Sequence, residues 1–255
     1  MVYTSRIIVP TSVFGQPKVD ADCLDAYAAL IAASGGQGME IRRELFPPGE
    51  PPLDPCRRTL EQYRLHGVYS APIELWLPSG ELNEAGLAIA LREARAIQAD
   101  MVKMPLGHYD RFRSDVSALS RVLERDRRAG EAITLTVEND QTDYGGRLEP
   151  LQAFFGAVAQ AALPVSMTFD IGNWSYCGEN ARTAAERLRD HVVYIHCKHV
   201  EQHGARMQTL PIPREPGAGW RELLRLLPSD ALRAIEFPLP DASLLPEYIA
   251  LLKGA

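Results

Sequence analysis

No stretch of the 255 residues approaches the roughly 20 consecutive apolar residues of a membrane span. The one apolar run near the start, Ile7 to Val9, is too short for the core of an export signal. Cysteine is scarce as well. Cys23, Cys56, Cys177 and Cys197 form no CxxC pair and follow no spacing of a thiolate zinc site or a secreted disulfide framework. Basic residues are outnumbered, 27 Lys and Arg against 33 Asp and Glu, for a net charge of −6. A chain of that sign has no general attraction for phosphate backbones or anionic membranes. No Ser/Gly tract or low-complexity run divides it. These absences point to a cytoplasmic, soluble protein whose partner is a small molecule, without nucleic acid or membrane. They are compatible with a homo-oligomer.

What is present is a composition able to bury a large core, 46% hydrophobic and 24% charged. Short β-type runs alternate with amphipathic stretches along the whole chain, the pattern of repeated βα units on a parallel sheet. Strands are expected at Arg6 to Val9, Met39 to Leu45, Pro72 to Leu77, Met101 to Met104, Ala132 to Glu138, Ser166 to Asp170, Val192 to Lys198 and Ala231 to Phe237. Helices are expected near Asp20 to Ala33, Asp54 to Leu65, Glu81 to Gln98, Phe112 to Arg128, Leu151 to Ala162, Asn180 to Arg189, Trp220 to Leu227 and Ser243 to Lys253. Eight units close into a single-domain α/β structure, a (β/α)8 barrel. An open doubly wound sheet usually carries a GxGxxG loop after its first strand, and Pro10-Thr11-Ser12-Val13-Phe14-Gly15 is not one. The chemistry of such a barrel lies at the C-terminal ends of its strands.

Side chains alternate across a strand, so parity decides which strand-end groups face the barrel axis. Glu138 shares the polar face of Thr134 and Thr136, and Asp170 that of Ser166 and Thr168. His196 is in phase with Tyr194 and Lys198, and Glu236 with Ala234. Four converging acidic or imidazole groups would repel or stay unsatisfied without a cation. A mixed oxygen and nitrogen set suits Mn²⁺, Mg²⁺ or Co²⁺, with Zn²⁺ also admitted, better than a thiolate-loving metal. Lys103 is in phase at the end of its strand, facing inward with Met101 and Pro105. Lys198, Glu44, Asn173 and His199 join it as candidate substrate contacts. His108, Trp174 and Arg206 fall on loops that a barrel uses for specificity, and Gly217 and Gly219 read as an ordinary turn before a helix.

The strand ends Val137-Glu138-Asn139-Asp140, Phe169-Asp170-Ile171-Gly172-Asn173, His196-Cys197-Lys198 and Ile235-Glu236, with the second strand Gly38-Met39-Glu40-Ile41-Arg42-Arg43-Glu44, resemble those of the xylose isomerase-like TIM barrel superfamily of sugar phosphate isomerases and epimerases. The resemblance covers nearly the whole chain. It implies one divalent metal ion, Mn²⁺ first among the candidates, held by Glu138, Asp170, His196 and Glu236. It also implies a sugar or keto-sugar substrate and proton transfer through a metal-stabilised enediolate, with Glu138 and Glu236 as the exchanging base and acid. Ketose 3-epimerases of that family carry a histidine where Asn173 stands, and an aspartate commonly follows their HxK where His199 stands. A lyase or dehydratase on a keto-sugar or keto-acid shares the first proton abstraction. An endonuclease IV-like repair enzyme shares the barrel, but it would use many histidines, and this acidic chain has six.

Overall fold

The computed structural model describes residues 6–15, 18–47, 49, 51–129, 133–204 and 206–255. Eight parallel strands close into a barrel: β1 (Ile7–Pro10), β2 (Gly38–Arg42), β3 (His66–Ser70), β4 (Met101–Pro105), β5 (Thr134–Glu138), β6 (Val165–Asp170), β7 (Val192–Cys197) and β10 (Leu232–Ile235). Around the wall β10 lies between β7 and β1, and the remaining strands follow in chain order. Helices α1 (Ala21–Ala33), α2 (Leu53–Tyr63), α3 (Glu84–Ala96), α4 (Val116–Ala129), α5 (Leu148–Gln160), α6 (Asn173–Tyr176), α7 (Ala181–Leu188), α8 (Gly219–Leu226) and α9 (Leu245–Lys253) occupy the connections. Three of them start on the side-chain caps expected of Asp and Asn. Asp20 accepts from Cys23 N, Asn83 from Gly86 N and Asn180 from Thr183 N.

Two cores result from strand parity. Outward side chains such as Ile7, Met39, Tyr69, Val102, Val137, Phe169 and Ile195 pack beneath the helices. Inside the barrel a small apolar floor is formed by Ile8, Val68, Met101, Tyr194 and Ala234. Above it the interior turns polar, with Thr168 Oγ1 bonded to Thr136 Oγ1 at 2.8 Å and the charged groups one layer higher. The floor needs a residue without a side chain at the foot of β2. A Cβ at Gly38 would come 2.4 Å from Ile8 Cδ1 and 2.7 Å from the backbone oxygen of His66. Gly38→Ala is therefore expected to lower the unfolding free energy by about 1–3 kcal/mol, read as a fall in the urea midpoint at unchanged slope.

The third strand differs from the expectation of Pro72 to Leu77. It is His66–Ser70 that pairs with β2 and β4. Pro72 offers no N–H to a central ladder, whereas Gly67 lets β3 run close over its neighbours, where a Cβ would meet Leu60 Cδ1 at 2.8 Å. The apolar segment after Pro72 instead continues up the wall. Leu75 N and Trp76 N bond Pro105 O and Leu106 O, and Trp76 is buried edge-on against Tyr109 and Phe154. The fifth strand begins at Thr134, and Ala132 lies outside the described residues. An unexpected antiparallel hairpin, β8 (His199–His203) with β9 (Arg206–Leu210), rises from the end of β7. Among the described residues no helix is long and apolar enough to cross a membrane.

Candidate metal centre at the barrel mouth

Neighbouring strands set the four parity-selected groups side by side. Asp170 is the register partner of His196 on β6 and β7, Ala234 of β10 pairs with His196, and Glu236 follows two residues later. One ligand atom from each of Glu138, Asp170, His196 and Glu236 lies within 4.8 Å of all the others, a set that can hold a metal ion. Their depths differ. The Asp170 and His196 side chains are wholly buried, whereas those of Glu138 and Glu236 are 12% and 10% exposed and line an open cavity of about 330 Å³.

The second strand supplies a residue that parity could have found and the motif reading passed over. Glu40 is inward, fully buried, and accepts from Tyr194 Oη at 2.7 Å. The same oxygen, Oε2, is 2.8 Å from His196 Nε2. An imidazole whose Nε2 hydrogen is committed to Glu40 presents the Nδ1 lone pair on its other side. That Nδ1 faces Glu138 Oε1 at 2.9 Å, Glu236 Oε1 at 3.2 Å and Asp170 Oδ2 at 3.8 Å, and makes no directed hydrogen bond to any of them. Asp170 Oδ2 likewise has an ion-pair contact, 2.7 Å to Lys198 Nζ, without hydrogen-bond geometry. A ring nitrogen aimed at three carboxylates without a directed hydrogen bond is an arrangement that a cation between them satisfies, so the residues present fit a divalent ion.

Three cations hold the carboxylates in place. Lys103 Nζ is 2.5 Å from Glu138 Oε2 and 3.7 Å from Glu40 Oε1. Lys198 Nζ is 2.8 Å from Glu236 Oε2, and Arg42 Nη1 is 2.8 Å from Glu236 Oε1. Burial opposes the charge of each glutamate, but Lys103 and His196 hold Glu138 below the ordinary range, and His196 and Lys198 hold Glu236 well below it. At Asp170 burial prevails over Lys198, with Glu236 and Glu138 adding to it, and its carboxyl is pushed up to about 8. His196 is raised well above its usual value despite burial, by Glu236, Glu40 and Glu138.

Asp170 is aimed by its surroundings. Its Oδ1 accepts from the backbone N–H groups of Gly172 and Asn173, while Asn139 brackets its backbone, accepting from Asp170 N and donating to Asp170 O. Asn173 lines the cavity, but its amide donates to Asn139 O and accepts from Gln141 Nε2. Lys103 and Lys198 line the cavity too. Glu44 does not. The strand ends at Arg42 and residues 43–45 form a 3-10 turn, which places Glu44 on the outer side of Arg42, 2.7 Å from its Nε. His199 is on the hairpin and pairs with Glu201 at 2.9 Å, away from the cavity lining. Trp174 is buried against Phe169 in the helical layer, and His108 stacks on Tyr144 at 3.6 Å. Arg42, Glu74, Asp140 and Gln141 are lining residues that the strand-end reading did not select. A larger cavity of about 620 Å³ lies at the opposite end, among Leu123, Ile133, Leu163 and Pro164, far from these charges.

No protein-family model matches the chain, and no curated protein matches it in sequence. Solved structures do match in fold. The probable 3-DHS dehydratase AsbF of Bacillus anthracis is 12% identical, with TM-score 0.67 over 97% of this chain and 98% of that one. The 3-keto-D-glucoside 4-epimerase YcjR of E. coli, in its apo form, is 13% identical, with TM-score 0.66 over 98% and 100%. Endonuclease IV of Thermus thermophilus is 19% identical, with TM-score 0.65 over 98% and 100%. Three reactions on one architecture show that the fold alone does not select the chemistry. The protein has the closed (β/α)8 barrel fold of these three structures.

Proposed function

We propose that the protein is a divalent-metal-dependent isomerase or epimerase of a sugar or keto-sugar, with Glu138, Asp170, His196 and Glu236 as ligands and Mn²⁺ as the preferred ion. The observation that carries this reading is the division of the four groups by depth. Asp170 and His196 have no surface in the cavity and serve as ligands alone, whereas both glutamates reach it and can also meet a substrate. A divalent ion there supplies Lewis acidity, polarising a carbonyl and its neighbouring hydroxyl so that the C–H between them is acidified. Glu138 removes or returns that proton on one side and Glu236 on the other. Lys103 lies against Glu138 and donates to a substrate oxygen as negative charge develops there. The lining of Arg42, Ser70, Glu74, Asp140, Gln141 and Asn173 offers donors and acceptors in the density that a polyol demands.

The test is proton exchange. The Mn²⁺-loaded protein, incubated in D2O with a panel of keto-sugars and 3-oxo-glycosides, should exchange one carbon-bound proton for deuterium beside the carbonyl of its substrate, followed by NMR. An isomer that differs in mass only by the deuterium taken up is the expected product, and loss of water would assign a dehydratase instead. An abasic-site duplex should be neither bound nor cut at physiological salt, and metal-dependent incision would overturn the reading.

Metal uptake should also depend on pH. His196 and Asp170 are raised in the metal-free protein, so their protons must leave when an ion takes their place. Affinity for Mn²⁺ should therefore rise as pH increases through about 8, with protons released into unbuffered solution, and fall steeply toward pH 6. Titration calorimetry in buffers of different ionisation enthalpy counts those protons.

A further inference from the structure

A carboxylate that no step above uses sits at the centre of the barrel. Glu40 is fully buried, on the far side of His196 from the cavity, and a buried charge costs several kcal/mol unless it is paired. Its partners come from two other strands. Tyr194 Oη lies 2.7 Å and His196 Nε2 2.8 Å from its Oε2, and Lys103 Nζ lies 3.7 Å from its Oε1. The phenol can only donate its single hydrogen to the anion, so Oε2 is an acceptor there, and its remaining lone pair can meet only a donor on the imidazole. The Tyr194 ring, edge-on to the imidazole at 4.8 Å, blocks rotation toward the floor. Glu40 Oε1 has no hydrogen-bond partner and faces the ammonium of Lys103, which it shares with Glu138.

We infer that Glu40 is the positioning residue of the metal centre: it fixes His196 in the tautomer with hydrogen on Nε2, so that Nδ1 points at Glu138, Asp170 and Glu236 as a ligand. The inference rests on the metal reading above and not on the isomerase reaction. Tyr194 supports Glu40 in turn, and Lys103 ties the same carboxylate to Glu138. The role is one of orientation, because Glu40 is absent from the cavity lining and touches no substrate.

The experiment reads the ion and the ring separately from turnover. In full-length protein labelled with ¹⁵N-histidine and loaded with Zn²⁺, a long-range ¹H–¹⁵N spectrum should show His196 with its hydrogen on Nε2 and Nδ1 shifted by the metal. Glu40→Leu, which keeps volume and removes the acceptor, should weaken Mn²⁺ binding by about 10–100-fold, the usual loss on removing such an outer partner. Circular dichroism of the variant checks its fold. Tyr194→Phe leaves the acceptor in place and should change affinity by less than the Glu40 variant. A folded Glu40→Leu protein that binds Mn²⁺ as the wild type does would overturn the inference. So would a wild-type spectrum with hydrogen on Nδ1, which needs no variant to fold. Wild-type protein that binds neither ion would instead remove the metal reading itself, and this inference with it.

Discussion

Glu138→Gln protein is expected to keep its metal and lose its turnover. The amide preserves size and one ligand oxygen, although its NH2 then stands where Glu138 Oε2 accepts from Lys103 at 2.5 Å. What disappears is the basic carboxylate at the cavity wall. The loss should be about 10²-fold or more in kcat, the scale of missing general acid–base catalysis. Glu236→Gln should behave likewise, although Arg42 and Lys198 hold that side chain more tightly. If the two carboxylates serve opposite faces of the substrate, each single variant can still exchange a proton with D2O on its intact side while failing to complete the conversion. His196→Ala contrasts with both, because on the proposed function it removes a ligand that does not meet substrate. Its Mn²⁺ affinity should fall first, with activity partly restored by excess ion. Metal content, kcat and deuterium incorporation measured on the three variants separate these roles. A Glu138→Gln, Glu236→Gln double variant with bound metal and near-normal turnover would sink the proton-transfer mechanism.

The second large effect concerns Lys198, buried between Asp170 and Glu236. Four carboxylates, Glu40, Glu138, Asp170 and Glu236, meet three permanent cations, Arg42, Lys103 and Lys198, across contacts of 2.5 to 3.7 Å. Lys198→Met keeps the aliphatic stem and strips the charge, leaving Asp170 without its lysine and Glu236 to Arg42 and His196. Removing one partner from a buried ion pair costs roughly 3–5 kcal/mol, so the metal-free variant should unfold at a clearly lower urea concentration than wild type. A divalent ion supplies the missing positive charge. Saturating Mn²⁺ should therefore raise the Tm of Lys198→Met by more than it raises that of wild type, by ligand linkage. Equal Tm gains in the two proteins would show that Lys198 does not share in the charge balance of the ligand cluster.

Strand parity made the β5, β6, β7 and β10 ends legible because at each an apolar outward residue, Val137, Phe169, Ile195 or Ile235, directly precedes the inward polar group. It failed on β3 for a physical reason. Pro-Ile-Glu-Leu-Trp-Leu has the hydrophobicity of a strand, but it is consumed in covering the barrel rim, while the true strand hides in the polar-looking His66–Ser70. On β2 the phase of residues 38, 40, 42 and 44 was readable, yet the chain leaves the strand after Arg42, and the inward carboxylate is Glu40 and not Glu44. Strand length, set by where the 3-10 turn begins, is invisible to periodicity. The hairpin was signalled only by Gly204, at φ 62°, between two β-type runs, a local cue that a full count of eight units overrides.

The division between strands and loops at the mouth has a consequence for directed evolution. The four groups proposed to hold the ion all stand on β5, β6, β7 and immediately after β10, braced by Glu40 and the buried lysines. Glu74, Asp140 and Gln141, which shape the upper cavity, stand on connecting segments that carry none of those groups. A combinatorial library at these three positions can remodel the entrance while the reactive centre stays in register. On the proposed function, variants drawn from it are free to accept new polyols without re-evolving the apparatus beneath.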